Sequence, residues 1–242
     1  MKKTITPVYQ SIVDAKTGIV LHYEALARTR NSVGSHGKVI ELGELVGFIH
    51  LVDIAMLEHV VEELRANSRA IVAVNVSGVT IERSCNEYLA AVFQNMEFMR
   101  RVVFEITETS DISDLRMLNR FLLAIRLLDA RVALDDFGTG FAMLDMVNHV
   151  KPEFVKLDGE VVRYYDSTGD ADAIREIVDV VHGYGGEIIA EHIDSKKKAD
   201  AMRDLGVSYL QGFYMGEFVT ELPKNEFCVV AMDGEERIAT VG

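Results

Sequence analysis

The segment "VALDDFGTG" (Val132 to Gly140) carries two adjacent carboxylates, Asp135 and Asp136, between an apolar run and a glycine-rich turn. Other apolar runs also end on polar side chains: Glu24, Asn75, Glu105, Lys156, Glu191 and Gln211. Taken singly, each has an ordinary reading as a helix cap, a turn residue or a solvated surface group. Together they make a repeated pattern of acids, amides and one lysine at strand ends. Five carboxylates brought together cannot all stay ionised without compensating cations. A like-charged pair at roughly 4 Å costs about 4 kcal/mol at an effective dielectric of about 20. Oxygen donors from Asp, Glu and Asn suit hard divalent ions, Mg²⁺ or Mn²⁺. Neighbouring residues of a regular strand face opposite ways. Asp135 and Asp136 therefore reach one site only where the strand gives way to loop, and Gly138 and Gly140 supply that break. One aspartate can then bridge two ions while its neighbour binds the second.

The elements that must position these residues alternate along the chain. "TPVYQSIVDAKTGIVLHYEAL" reads as two extended segments around an Asp-Ala-Lys-Thr-Gly turn, a hairpin signal. Helical apolar spacing follows in "KVIELGELVGF" and "LVDIAMLEHVVEELRANS". Further strands are "AIVAVNVS", "RVVFEIT", "RVALDD", "EFVKLD", "GEIIAEHI" and "VSYLQGF". Between them lie the helices "NEYLAAVFQNMEFMR", "DISDLRMLNRFLLAIRLLDA", "FAMLDMVNHV", "DADAIREIVDVVHGYG" and "SKKKADAMRDLG". Asp111 or Ser113 is the expected N-cap of the second of these, and Ser195 that of the last. Short apolar strands alternating with helices imply a parallel sheet. Seven or eight units in this length imply a closed barrel, an α/β fold of the TIM (β/α)8 type modified by one antiparallel strand from the opening hairpin. The polar strand ends would then converge on the face where barrel active sites lie. One domain over residues 1–242 is expected, with 217–242 a C-terminal extension that is an edge strand or a hairpin.

The 242 residues carry a net charge of −13, and 49% are apolar. An acidic surface argues against binding polymeric nucleic acid or a membrane surface. Cys85 and Cys228 stand far apart in no metal-ligand pattern, so a reducing compartment is expected. No run reaches the roughly 18 apolar residues of a membrane span. The N-terminal "MKKTITPVYQ" has no apolar core of a signal peptide, which leads to a cytoplasmic expectation. The glycines of "GTG" lack the rest of a dinucleotide fingerprint. The seven histidines form no HxH or HExxH pattern.

"YEALAR" (Tyr23 to Arg28) resembles the signature of EAL domains, the cyclic di-GMP phosphodiesterases. The resemblance extends through "VYQSIVDAKTGIV", "NVS", "FEITET", "DDFGTG", "VKLD", "AEHID" and "LQGF", in the family's order and spacing. It implies a modified TIM barrel with two divalent ions, Mg²⁺ or Mn²⁺, and hydrolysis of cyclic di-GMP to linear pGpG. By motif position, Glu24, Asn75, Glu105 and Asp135 would hold the first ion, and Asp135, Asp136 and Glu191 the second. Lys156 would contact the attacking water, Glu191 would help deprotonate it, and Gln211 would lie close by. Gln10, Arg28 and Asp158 would bind the substrate. Glu108 would anchor the "DFGTG" loop, which in the family often joins a homodimer interface.

Three departures from the family pattern stand out. "AEGVET" is here "AEHIDS", so His192 replaces a glycine and Asp194 a glutamate. Thr29 stands where the family has tryptophan, and no proline follows Phe213 closely. Restoring glycine and glutamate is expected to raise turnover by up to about 100-fold if these positions weaken support of Glu191. Two further readings compete with the enzyme: a cyclic di-GMP receptor without turnover, and a protein-interaction module. Retention of every metal-binding position favours the enzyme over both.

Overall fold

The computed structural model describes residues 5–29, 47–107, 112–138, 141–223, 227–230 and 236–239. Eight strands form a closed barrel in chain order. They are β1 (Ile5–Asp14), β2 (Val20–Thr29), β3 (Val72–Ser77), β4 (Val102–Thr107), β5 (Arg131–Phe137), β6 (Phe154–Leu157), β7 (Glu187–Ala190) and β8 (Tyr209–Gln211). β1 runs antiparallel to β8, with Ile12 opposite Gln211. The pairs β3–β4, β5–β6, β6–β7 and β7–β8 are parallel. The expected barrel with one antiparallel strand is thus the fold.

The contacts divide the chain into two compact units. The first comprises the stretches up to Tyr9, Glu24–Val132 and Val219–Leu222. Its long helix α1 (Ile49–Ala66) buries Leu57, Val60 and Leu64, residues three and four apart on one face. Tyr88, Phe104 and Phe121 pack ring against ring at 5.8–6.2 Å. Asp53 of α1 is buried and accepts hydrogen bonds from the Ser77 backbone N–H (3.1 Å) and the Thr80 hydroxyl (2.5 Å). It thereby fixes the turn from β3 into the short helix α2 (Gly78–Arg83). That turn follows directly after Asn75 and Val76.

The second unit holds Gln10–Tyr23, Ala133–Phe218 and the tail from Pro223. The β1–β2 turn forms where the sequence places it. The backbone N–H groups of Lys16 and Thr17 donate to Asp14 Oδ1, and Gly18 takes the left-handed conformation. Phe154 packs on Tyr209 at 6.0 Å and on His22 at 5.4 Å.

Several boundaries differ from the sequence reading. The helix expected over "NEYLAAVFQNMEFMR" splits into α3 (Cys85–Phe93) and a 3₁₀ turn (Met96–Arg101). The Asn95 side chain donates to the Ala91 carbonyl there (2.9 Å), which satisfies a C-terminal acceptor and ends the helix. The next helix, α4 (Leu115–Arg126), is capped by Asp114, whose carboxylate accepts from the Arg116 N–H. Ser113 does not cap it, because its N–H and hydroxyl both donate to Glu82. Asp111 lies outside the described residues, as does most of "KVIELGELVGF". In the tail, β9 (Phe227–Val230) and β10 (Glu236–Ala239) pair antiparallel as a separate two-stranded sheet.

Candidate active site

In the first unit, Asn75 and Glu105 are direct partners across the parallel β3–β4 pair. Register partners point to the same face of a sheet. Asn75 Nδ2 donates to Glu24 Oε1 at 2.9 Å, which ties in the middle of β2, since that strand runs on to Thr29 and does not end at Glu24 as the sequence suggests. Glu24 is 3% exposed and Glu105 fully buried. Each offers a carboxylate oxygen within 4.8 Å of the other. The Asn75 Oδ1 is buried without a hydrogen-bond partner. Two carboxylates and an acceptor-only amide oxygen form the donor set that a hard divalent cation selects. Four residues beyond Glu24, Arg28 is partly desolvated, which lowers its pKa, while the charge of Glu24 opposes that shift.

In the second unit, Lys156 is 1% exposed. Its Nζ lies 2.7 Å from Glu191 Oε1 and 2.9 Å from Asp135 Oδ1. The Asp135 oxygen is off the hydrogen-bonding direction, so it is charge-paired yet keeps its lone pairs. The chain reaches this geometry through a bulge. Leu134 pairs with Val155 but Phe137 with Leu157, so one extra residue is accommodated at the two aspartates. The regular pairing is therefore interrupted inside β5, between Leu134 and Phe137, ahead of Gly138. Bulges re-aim side chains without ending the strand, which is why the apolar pattern alone hides them. At β8, Gln211 Nε2 donates to Gln10 Oε1 at 3.2 Å. A side chain on Gly212 would collide with the Ile193 backbone, so glycine there lets β8 close against the segment after Glu191. The Ile193 N–H donates to the Gln211 carbonyl at 3.0 Å. Asp158 caps helix α5 (Gly159–Thr168), its Oδ1 accepting from the Glu160 N–H at 2.6 Å.

Each unit thus assembles its share of the expected residues: Glu24, Asn75, Glu105 and Arg28 in one, Gln10, Asp135, Lys156, Asp158, Glu191 and Gln211 in the other. Glu108 and the Asp136 side chain lie outside the described residues. Asp194 does not turn toward Glu191. Its carboxylate takes the Lys198 ammonium at 2.7 Å, and that hydrogen bond holds its pKa below the ordinary value. Asp194 is 58% exposed, while the Lys198 side chain is 13% exposed. Asp194→Ala is therefore expected to change stability by no more than about 1 kcal/mol, leaving apparent metal affinity unaltered in a titration. His192 has a left-handed backbone, φ 56°. A residue other than glycine there carries strain on the order of 1–3 kcal/mol. The sequence reading passed over Gly159. Its signal is a glycine directly after an Asp cap, and it proves to lie beneath the His192 ring.

A closed barrel that carries acids, amides and a buried lysine on its strands defines an α/β barrel of the modified TIM type. A family model described as "EAL domain" matches residues 1–217, and the chain belongs to that family. It is 31% identical over 148 residues to the cyclic di-GMP phosphodiesterase PdeB of Shewanella oneidensis, covering 60% of this chain and 17% of PdeB. It is 24% identical over 231 residues to the probable cyclic di-GMP phosphodiesterase PdeG of Escherichia coli, covering 89% of this chain and 45% of PdeG. The chain spans less than half the length of these relatives. Among solved structures, the Xanthomonas citri FimX EAL domain in complex with c-diGMP matches with a TM-score of 0.80 at 21% identity, covering 93% of this chain and 91% of that one. The Bacillus subtilis YkuI protein, in complex with c-di-GMP and calcium, matches with a TM-score of 0.76 at 21% identity, covering 92% and 58%. At such identities these likenesses establish the fold. Among the described residues, no helix is long and apolar enough to cross a membrane.

Proposed function

We propose that this chain hydrolyses cyclic di-GMP to linear pGpG with the help of two divalent cations, Mg²⁺ or Mn²⁺. The observation that carries the reading is Lys156, buried with Glu191 and Asp135 within 2.9 Å of its ammonium. By family position, Glu24, Asn75, Glu105 and Asp135 would hold one ion, and Asp135, Asp136 and Glu191 the other. Bound ions of this kind neutralise phosphodiester oxygens and make water a better nucleophile. The residues of the chain position and move protons around that centre. Lys156 Nζ donates a hydrogen bond to the attacking water, and a carboxylate oxygen of Glu191 takes the proton that the water gives up. The water oxygen joins phosphorus as the bond to the 3′ oxygen breaks, and the 3′ oxygen takes up a proton from solvent, leaving a 3′ hydroxyl and a 5′ phosphate. Arg28, Gln10 and Asp158 orient the phosphates and guanines, and Gln211 steadies Gln10. A cytoplasmic enzyme acting as a homodimer through the "DFGTG" region, with Glu108 anchoring that loop, completes the proposal.

The test is turnover of cyclic di-GMP followed by chromatography, with Mg²⁺, with Mn²⁺ and with EDTA. Metal-dependent appearance of pGpG is expected, and EDTA abolishes it. Tight binding of cyclic di-GMP without pGpG at saturating metal would replace the enzyme by a receptor. Neither binding nor turnover would leave an interaction module.

A further inference from the structure

His192 occupies a backbone position where glycine is the unstrained choice, since its φ is 56°. The strain persists because the ring has a built place to lie. A Cβ added to Gly159 would fall on the His192 Nδ1, Cγ and Cβ atoms, so the imidazole fills the space that this glycine leaves open. There its Nδ1 is 3.9 Å from Glu191 Oε2. The other Glu191 oxygen is the one paired with Lys156 at 2.7 Å. Oε2 and Nδ1 are thus adjacent donors on the side of the carboxylate away from the lysine. Two donors each about 2.1 Å from one ion stand roughly 3 Å apart at a right angle and about 4.2 Å apart across it. The observed separation falls inside that range. The His192 side chain is 63% exposed overall, with Nδ1 the ring atom nearest Gly159.

Resting on the proposed metal-dependent reading, we propose that His192 adds an imidazole nitrogen to the ion position served by Glu191, and that this biases the site toward a first-row transition ion over Mg²⁺. Mg²⁺ is held almost entirely by oxygen, whereas transition ions accept imidazole readily. The replacement of glycine by histidine is then a change of metal preference, which reverses the expectation that restoring glycine improves the enzyme. Gly159 is the positioning residue, because any side chain there displaces the ring.

The experiment is Mn²⁺ titration monitored by electron paramagnetic resonance, with pulsed measurement of nitrogen coupling and competition by Mg²⁺. In the unsubstituted protein, bound Mn²⁺ is expected to show an imidazole-type nitrogen coupling. His192→Gly, which relieves backbone strain and so keeps the fold, is expected to remove the coupling and weaken Mn²⁺ binding by about tenfold. Mg²⁺ affinity is expected to stay within about threefold. Gly159→Ala should reproduce the loss of coupling with His192 still present. Nitrogen coupling unchanged in His192→Gly, or equal loss of Mn²⁺ and Mg²⁺ affinity, overturns the role of His192 while leaving the metal reading standing. Failure of the unsubstituted protein to bind Mn²⁺ stoichiometrically overturns both.

Discussion

Lys156→Met is expected to abolish turnover and to destabilise the metal-free protein by about 3–5 kcal/mol. The side chain is almost wholly buried and lies between Glu191 and Asp135, which are themselves only 13% and 12% exposed. Methionine matches the length of the lysine stem but removes the cation. Two carboxylates are then left facing each other in a poorly solvated place, and breaking a buried pair is costly because the remaining charge is uncompensated. A divalent cation can replace the lost positive charge but not the ammonium's hydrogen-bond donors. Added Mn²⁺ should therefore recover a large part of the stability while turnover stays at least about 1,000-fold down. Denaturant unfolding in EDTA and in Mn²⁺, with pGpG formation measured alongside, checks both halves. Near-normal turnover would remove Lys156 from the mechanism. Unchanged stability in EDTA would show that the ion pairs contribute nothing to the fold.

Much of this arrangement was legible in the order of residue types. Asn75 and Glu105 each close an apolar run of similar length in the sequence, and the structure makes them register partners in β3 and β4. The Asp-Ala-Lys-Thr-Gly turn declared itself through residues that form turns for known reasons, and Asp14 and Gly18 do what their chemistry allows. What escaped depends on contacts between distant residues or on one-residue irregularities. The bulge in β5 changes no residue type, so the sequence offers only the end of the strand as a way to reconcile the adjacent aspartates, whereas β5 runs on to Phe137. The cap of α4 moved from Asp111 or Ser113 to Asp114 because Glu82, far away in sequence, claims the Ser113 donors. Spacing alone makes Asp194 a support for Glu191. The nearer competition is Lys198 one helical turn on, and a short carboxylate takes that partner. The departure at His192 is visible in the sequence, but its contact with Gly159, far apart along the chain, is not.

Glu105→Gln is expected to give a crossover in stability: more stable than the unsubstituted protein in EDTA, less stable in excess Mg²⁺ or Mn²⁺. Glu105 is fully buried, and one of its oxygens lies within 4.8 Å of a Glu24 oxygen. At that distance two ionised carboxylates repel by about 3–4 kcal/mol at an effective dielectric of about 20. Glutamine keeps the shape and removes one charge, so relief of about 1–3 kcal/mol is expected in the absence of metal. Asn75 cannot neutralise the pair, because its amide nitrogen already donates to Glu24 and its Oδ1 is one more acceptor. A bound cation supplies compensating charge, and an ion that binds only the folded state stabilises it by an amount that grows with the logarithm of its concentration above the dissociation constant. At 100 times its dissociation constant the gain is about 2.7 kcal/mol. Glu105→Gln loses that gain together with the anionic donor, and turnover is expected to fall at least about 100-fold. Thermal unfolding of both proteins across a range of Mg²⁺ and Mn²⁺ concentrations supplies the two curves. If they run parallel, metal does not bind at Glu105, and the assignment of Glu24, Asn75 and Glu105 to one ion fails. If they cross but pGpG formation is unaffected, that ion is structural, and the chemistry rests on Lys156, Asp135 and Glu191 alone.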